Sequence, residues 1–298
     1  MRIWAILQNL DRRILYVLIA IVLAVPLIIR PAKHPDANSV FPEVRGAYDT
    51  INGIPDGKIV LLSNTWSAGT KAENEPQLEA LMRHMLAKNI KFAIMSWDAA
   101  GSEITWQSAE RIQNDVNRER RKRGQPLLSY GKDWVHLGYK TGVYAIIASG
   151  LGEDFQKVFS VDRKGTKLSK LPAVSYVKDA KQIGAVVDVT STGMMGVWIP
   201  YLTTPKHIPL IYCPTAVMAV TSYPYLDSGQ LKGMMNGVMG AVQYETLIGR
   251  GNVKTDASAT SWALSCAHIY ILILILVGNL GYLAAKRAGI VSGGSRIG

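Results

Sequence analysis

"GKIVLLSNTW", residues 57–66, decides the fold. Its apolar core from Ile59 to Leu62 is continuous, with no polar residue on alternate positions. A strand with one wet face alternates, whereas a strand buried on both faces does not. The run is therefore read as a central strand from Lys58 to Ser63. The next two segments of the chain support this. "ENEPQLEALMRHMLAKN" places Leu78, Leu81, Met82, Met85 and Leu86 on one helical face, and "IKFAIMSW" is a second continuous apolar run. Strand, amphipathic helix and strand in this order form a crossover unit of a parallel sheet.

The same alternation continues outward. "EITWQSAERIQNDVNRERRKRG" is a long polar helix stopped by Gly124, "KDWVHLGY" a third strand and "TGVYAIIASG" the start of a helix. "EDFQKVFSVDRKGTKLSKLP" lacks periodicity and reads as an excursion. "AVVDVTS", the helix "TGMMGVWIPYL" and the strand "IPLIYCP" come after it. The fold class is α/β, a Rossmann-like domain with a mostly parallel sheet over residues 40–249. Flanking it are the proline-broken linker 31–39 and the linker 250–261.

Two stretches lie outside this pattern. Residues 14–29, "ILYVLIAIVLAVPLII", and 262–285, "WALSCAHIYILILILVGNLGYLAA", contain no charged side chain. The second is long enough to span a bilayer. The first is marginal but is preceded by "MRIWAILQNL", an interfacial segment, and no small-x-small cleavage site follows it. Both are expected to be single transmembrane helices, with residues 286–298 as a tail. Arg2, Arg12, Arg13, Lys286, Arg287 and Arg296 lie outside the loop between the spans, against Arg30, Lys33, Arg250 and Lys254 within it. That bias predicts a bacterial inner-membrane protein with cytoplasmic termini and a periplasmic or extracellular central domain.

The net charge of +11 includes the run Arg118, Arg120, Arg121, Lys122 and Arg123. It is read either as a solvated helix end suited to the helix dipole or as a contact for anionic lipid. No interleaved aromatics or recognisable module points to nucleic acid. The cysteines Cys213 and Cys266 sit in unrelated apolar runs, so neither a disulfide nor a zinc site is expected. No metal or cofactor is expected. There is no Walker A sequence and no G-x-G-x-x-G after the first strand.

In an open parallel sheet, ligands bind beyond the carboxyl ends of the strands. The residues expected there are Ser63, Asn64, Thr65 and Trp66, then Trp97 and Asp98, then His136, and finally Asp188, Ser191, Thr192 and Gly193. His136 with Asp188 or Asp98 would make an acid–base pair, although a structural histidine is the commoner role in an apolar strand. The hydroxyls of "TSTG" would suit an anion at a helix start, or simply cap it. Cys213 lacks a nucleophile elbow and reads as a buried thiol.

"GQLKGMMNGVMGAVQYETLIG", residues 229–249, reads as one helix. Its bulky face would pack on the sheet. Gly229, Gly233, Gly237, Gly240 and Ala241 would form a second, small-residue face suited to close contact with another backbone, as an interface or as internal packing. Gly278 and Gly281 in the second span suggest the same device.

A span, a Rossmann-like domain and a second span, with the general look of "GKIVLLSNTW…PQLEALMRHMLAKNIKFAIMSW", resembles auxiliary subunits of some bacterial ABC-transport and gliding systems. The likeness is architectural and brings no residues with it. The expected function is a non-enzymatic, membrane-anchored scaffold or accessory subunit that oligomerises or docks onto a larger membrane complex. The alternative is a membrane-anchored enzyme or small-ligand binder with its site at the strand ends.

Overall fold

A computed structural model of the chain describes residues 11–32 and 39–287, apart from the side chain of Ser149. The expected interfacial segment 1–10, most of the linker 31–39 and most of the tail lie outside the described residues. The chain forms two compact units, one made of its two ends and one of the residues between them.

The central unit is built on six parallel strands. They are β1 (Ile59–Thr65), β2 (Phe92–Ser96), β3 (Trp134–Tyr139), β4 (Ile183–Thr190), β5 (Leu210–Pro214) and β6 (Gly233–Met234), in the spatial order β3-β2-β1-β4-β5-β6. The order reverses direction between β1 and β4, whose registered pairs include Leu62 with Val187 and Ser63 with Asp188. Every residue of β2, β4 and β5 is buried, as continuous apolar runs require.

Side chains alternate across the sheet and define two cores. One face carries Val60, Leu62, Phe92, Ile94, Val187 and Ile211. It is covered by α2 (Pro42–Asn52), α3 (Lys71–Ala87), α4 (Ala99–Lys122) and α10 (Gly237–Leu247), which contribute Ala47, Leu78, Ile112 and Tyr244 to that core. The other face carries Ile59, Leu61, Met95, Val135, Val186 and Leu210. It is covered by α5 (Val143–Ser149), α6 (Phe155–Val158), the irregular chain to Ile183 and α7 (Met195–Trp198), through Ile147, Phe155, Val174 and Trp198. After β5 come α8 (Ala216–Ala219) and α9 (Tyr223–Asp227).

The glycine-laden segment is not one helix. Gly229 closes α9 in a left-handed turn, Gly233 lies in β6, and the helix begins only at Gly237. A Cβ on Gly233 would lie 2.1 Å from the backbone nitrogen of Ala47. One on Gly46 would lie 2.5 Å from the carbonyl oxygen of Lys232. α2 therefore packs backbone to backbone against the edge strand, which no larger residue permits. Gly240 is filled in the same way by the Met235 backbone, and Ala241 is fully buried. Gly233, Gly240 and Ala241 are thus used inside the domain, while Gly229 is exposed.

The terminal unit consists of α1 (Arg12–Ile29) and α11 (Asp256–Arg287), two helices long and apolar enough to cross a membrane by length and composition. Arg30 pairs with Asp256 at 3.0 Å, and the Tyr270 hydroxyl donates to the Leu15 carbonyl at 3.0 Å. Those pairings make the helices antiparallel. α11 starts at Asp256, so the second half of the expected linker 250–261 is helix. A Cβ on Gly278 would meet open space, so that glycine makes no close helix contact.

Candidate functional site

The strand-end residues do not gather in one pocket, because the sheet divides them. Ser63 and Asn64 are neighbours in β1 and so face opposite sides. Asn64 joins the α4 side. Its Nδ2 donates to Ser96 Oγ at 3.1 Å and to Thr105 Oγ1 at 2.6 Å. Gly101 there comes so close to Trp66 that a Cβ would lie 2.0 Å from its carbonyl oxygen. Asp98 caps α4 by accepting from the Gly101 N–H at 2.6 Å. Trp66 is buried in the same core. The first turn of α4 thus plugs the strand ends on this face.

From α3, two further side chains close the ends of β4, β5 and β6. Gln77 Nε2 donates to the carbonyls of Pro214, Met235 and Gly237 at 2.8–3.0 Å. Asn74 Nδ2 donates to the Thr190 carbonyl at 3.2 Å. Composition alone could not single out this pair, since both residues lie within an ordinary amphipathic helix.

On the opposite face, β1, β4 and β5 align Ser63, Asp188 and Tyr212 in one row. The Trp97 indole donates to Ser63 Oγ at 3.1 Å, and the Tyr212 hydroxyl donates to the Thr192 carbonyl at 2.7 Å. Asp188 is fully buried, and neither carboxylate oxygen has a hydrogen-bond partner. The Ser63 hydroxyl and the Trp198 indole N–H lie near enough to favour its ionised form but make no well-aligned bond. Burial outweighs them and pushes the carboxyl up to about 7. A buried carboxyl raised toward neutrality beneath the strand ends is a common mark of functional sites.

His136 is not its partner. It belongs to the other face, beside Trp106, and β1 and β2 separate its strand from β4. Its Nδ1 accepts from the Gly138 N–H at 2.9 Å. Burial, with the Arg163 guanidinium, lowers it to about 3. Asp98 is occupied as a cap, so neither expected acid–base pair forms. His136 is a neutral structural histidine beneath the turn Asp162–Lys164, where the Tyr130 hydroxyl donates to Asp162 at 2.6 Å.

"TSTG" makes no helix cap either. Thr192 N–H donates to Thr190 Oγ1 at 3.0 Å, Ser191 Oγ donates to the Thr65 carbonyl at 3.3 Å, and α7 begins only at Met195. Gly193 is exposed with open space around it. Cys213 is fully buried and its thiol is pushed well up by burial.

The basic run at the end of α4 is also divided. Arg120 turns inward, donating from Nε to the Pro126 carbonyl at 2.7 Å, and is not a free cation. Arg118 pairs with Asp115, while Arg121, Lys122 and Arg123 are exposed.

The chain after β3, β4 and β5 carries exposed apolar and tyrosine side chains. Tyr139, Tyr144 and Tyr201 are exposed, the last two with ring centroids 4.9 Å apart. Val217, Val220, Tyr223 and Tyr225 are exposed as well, Val217 to 83% and Val220 to 72%. The chain matches no protein-family model, no curated protein and no solved structure.

Proposed function

We propose that the protein is a membrane-anchored, non-enzymatic accessory subunit whose central domain docks a protein partner through the loops after β3, β4 and β5. The observation that carries this reading is the contrast at the strand ends. On the α3 and α4 side, the amide nitrogens of Asn64, Asn74 and Gln77 are committed to internal bonds. The loops above instead expose Tyr139, Tyr144, Tyr201, Val217, Val220, Tyr223 and Tyr225. Tyrosine and aliphatic surface with few charges is the composition of interface cores. The docking surface moves accordingly from the glycine-laden segment to these loops.

The anchors in this reading are α1 and α11. Antiparallel spans return both ends of the chain to one side, and the basic flanks favour the cytoplasm for them. The domain between then lies on the far side of a bacterial inner membrane. Its strand order is that of doubly wound Rossmann-like folds, which use the carboxyl end of the sheet for recognition.

The test is native mass in mild detergent. The parent chain is expected as a discrete particle well above 32.6 kDa of protein. Val217→Asp with Val220→Asp is expected to release the co-purifying mass while changing the unfolding free energy by no more than about 0.5 kcal/mol. A parent that runs as a clean monomer overturns the docking reading.

Asp188 favours a second reading, a small-ligand site at the switch point between β1 and β4. Under it, Asp188→Asn abolishes ligand binding and leaves any assembly intact.

A further inference from the structure

Every strand of the sheet is led in by a lysine. Lys58 and Lys91 stand immediately before β1 and β2, Lys132 and Lys181 two places before β3 and β4, Lys206 four places before β5, and Lys232 immediately before β6. All the strands are parallel, so these lysines share the amino edge of the sheet, opposite the docking loops. In spatial order they run Lys132, Lys91, Lys58, Lys181, Lys206, Lys232. Neighbouring strands lie about 4.8 Å apart, so the row is about 24 Å long.

The row is left largely unneutralised. Lys206 pairs with Glu153, and Lys91 donates to the Pro172 carbonyl at 2.9 Å. Among the described residues Lys58, Lys132, Lys181 and Lys232 form no ion pair, and all four are exposed. Two acids beside the row are engaged elsewhere: Asp133 accepts from the Ser129 N–H and Asp179 from the Lys181 N–H, both at 2.7 Å. Helix C-termini account for Lys88 and Arg123, which directly follow α3 and α4. They do not account for lysines ahead of strands, since a sheet has only a small net dipole. At the carboxyl edge, by contrast, Lys71 pairs with Glu75 at 3.5 Å and Arg163 pairs with Glu103.

The amino edge is also recessed. Between the starts of β1 and β2 lies a cavity of about 350 Å³ whose wall includes Lys58, Lys91, Ile54, Ile90 and Tyr176. A second, of about 380 Å³, holds Lys132 with Leu127 and Leu128, and the two share Asn89. A third, of about 510 Å³, lies past the ends of α3, α4 and α10 and shares Lys88 with the first. These walls combine cations with apolar carbon. A planar headgroup surface meets protruding side chains and leaves such recesses empty, whereas a peptide places side chains into them. An extended segment of about seven residues matches the length of the row.

We propose that the amino edge of the sheet binds an extended acidic segment of a protein partner, its carboxylates on the lysine row and its apolar side chains in the recesses between Lys132, Lys91 and Lys58. Exposed ion pairs are individually weak, so the affinity rests on several acting together and falls as salt rises. The edge lies across the sheet from the docking loops, and the proposal does not depend on them.

The experiment uses the full chain in phosphatidylcholine nanodiscs and a fluorescein-labelled peptide of alternating glutamate and alanine, followed by anisotropy. Saturable binding is expected. Lys58→Glu with Lys132→Glu should weaken it about tenfold or more, a change of about 1.4 kcal/mol. Lys140→Glu with Lys164→Glu makes the same change of net charge at the carboxyl edge and should leave it within about twofold. A second measurement needs no variant: bound peptide should slow acetylation of the Lys58 and Lys132 amines by acetic anhydride and leave Lys140 unaffected. The proposal is overturned if the parent shows no saturable binding, or if the two double variants weaken it equally, which is general charge attraction. It is overturned too if phosphatidylglycerol nanodiscs slow the acetylation of Lys58 and Lys132 without peptide, since lipid headgroups then hold the row. None of these results bears on the native mass, so the docking reading stands or falls separately.

Discussion

Asp188→Asn is expected to stabilise the protein at pH 8 and to lose that advantage on acidification. The native carboxyl titrates at about 7 against 3.8 in the unfolded chain. Between those values the native state holds a proton that the unfolded state has released. Stability therefore falls as pH rises from about 4 to 7, and the full deficit is present above 7. For a fully buried group the deficit is of order 4 kcal/mol. Asparagine has a similar shape and no charge to desolvate. His84 and His136 act in the opposite sense. Both are lowered by burial, to about 4 and about 3, so their contribution is present above 6.5 and is lost as pH falls. They are common to parent and variant and cancel in the difference. Denaturant midpoints of both proteins from pH 4 to 8.5 provide the check. A gap that does not change with pH would mean that Asp188 is not held as a buried acid. Should Asp188→Asn also abolish binding of a ligand, the stability deficit would be the cost of keeping a working acid beneath the strand ends.

The second large effect is expected from one methyl group. Gly233→Ala should destabilise the domain by at least about 3 kcal/mol, because the three atoms nearest the new Cβ are all α2 backbone, which cannot rotate away. The nearest atoms are the nitrogen and Cα of Ala47 and the carbonyl carbon of Gly46, at 2.1–2.6 Å. Gly193→Ala is the control, since open space surrounds it, and it should change stability by no more than about 0.5 kcal/mol. Thermal midpoints of the two variants would separate these outcomes. A small effect at Gly233 would mean that α2 does not seal the edge strand. Gly237→Leu, by contrast, cannot report on assembly. Gly237 has φ +52°, and its Cβ would crowd Glu73 and Ala216 inside the domain, so the fold would suffer first.

These two residues mark the boundary of what a linear reading can reach. The strand "AVVDVTS" is plainly visible, and Asp188 within it, but the absence of a partner for its carboxylate depends on what lies across the sheet. Period-two alternation already separates Ser63 from Asn64. Which face each takes, and hence that His136 and Asp188 never meet, is set by strand order. β6 escaped notice because it is two residues long and rich in glycine, with no periodicity of its own. Pairing with β5 and close approach of α2 create it. The cavity past the ends of α3, α4 and α10 joins Tyr48, His84, Arg123 and Arg250, four positions that only chain reversal brings together.

By itself, the amino-acid order determined the α/β class, the first five strands, the helices α3 and α4 and the two long apolar helices. Each of these arises from local periodicity or local hydrophobicity, which folding does not alter. Tertiary structure decided the strand order, the burial of Asp188, the inward turn of Arg120 and the use of the glycines within the domain. Those depend on which surfaces meet, and a surface has no partner until the chain has folded.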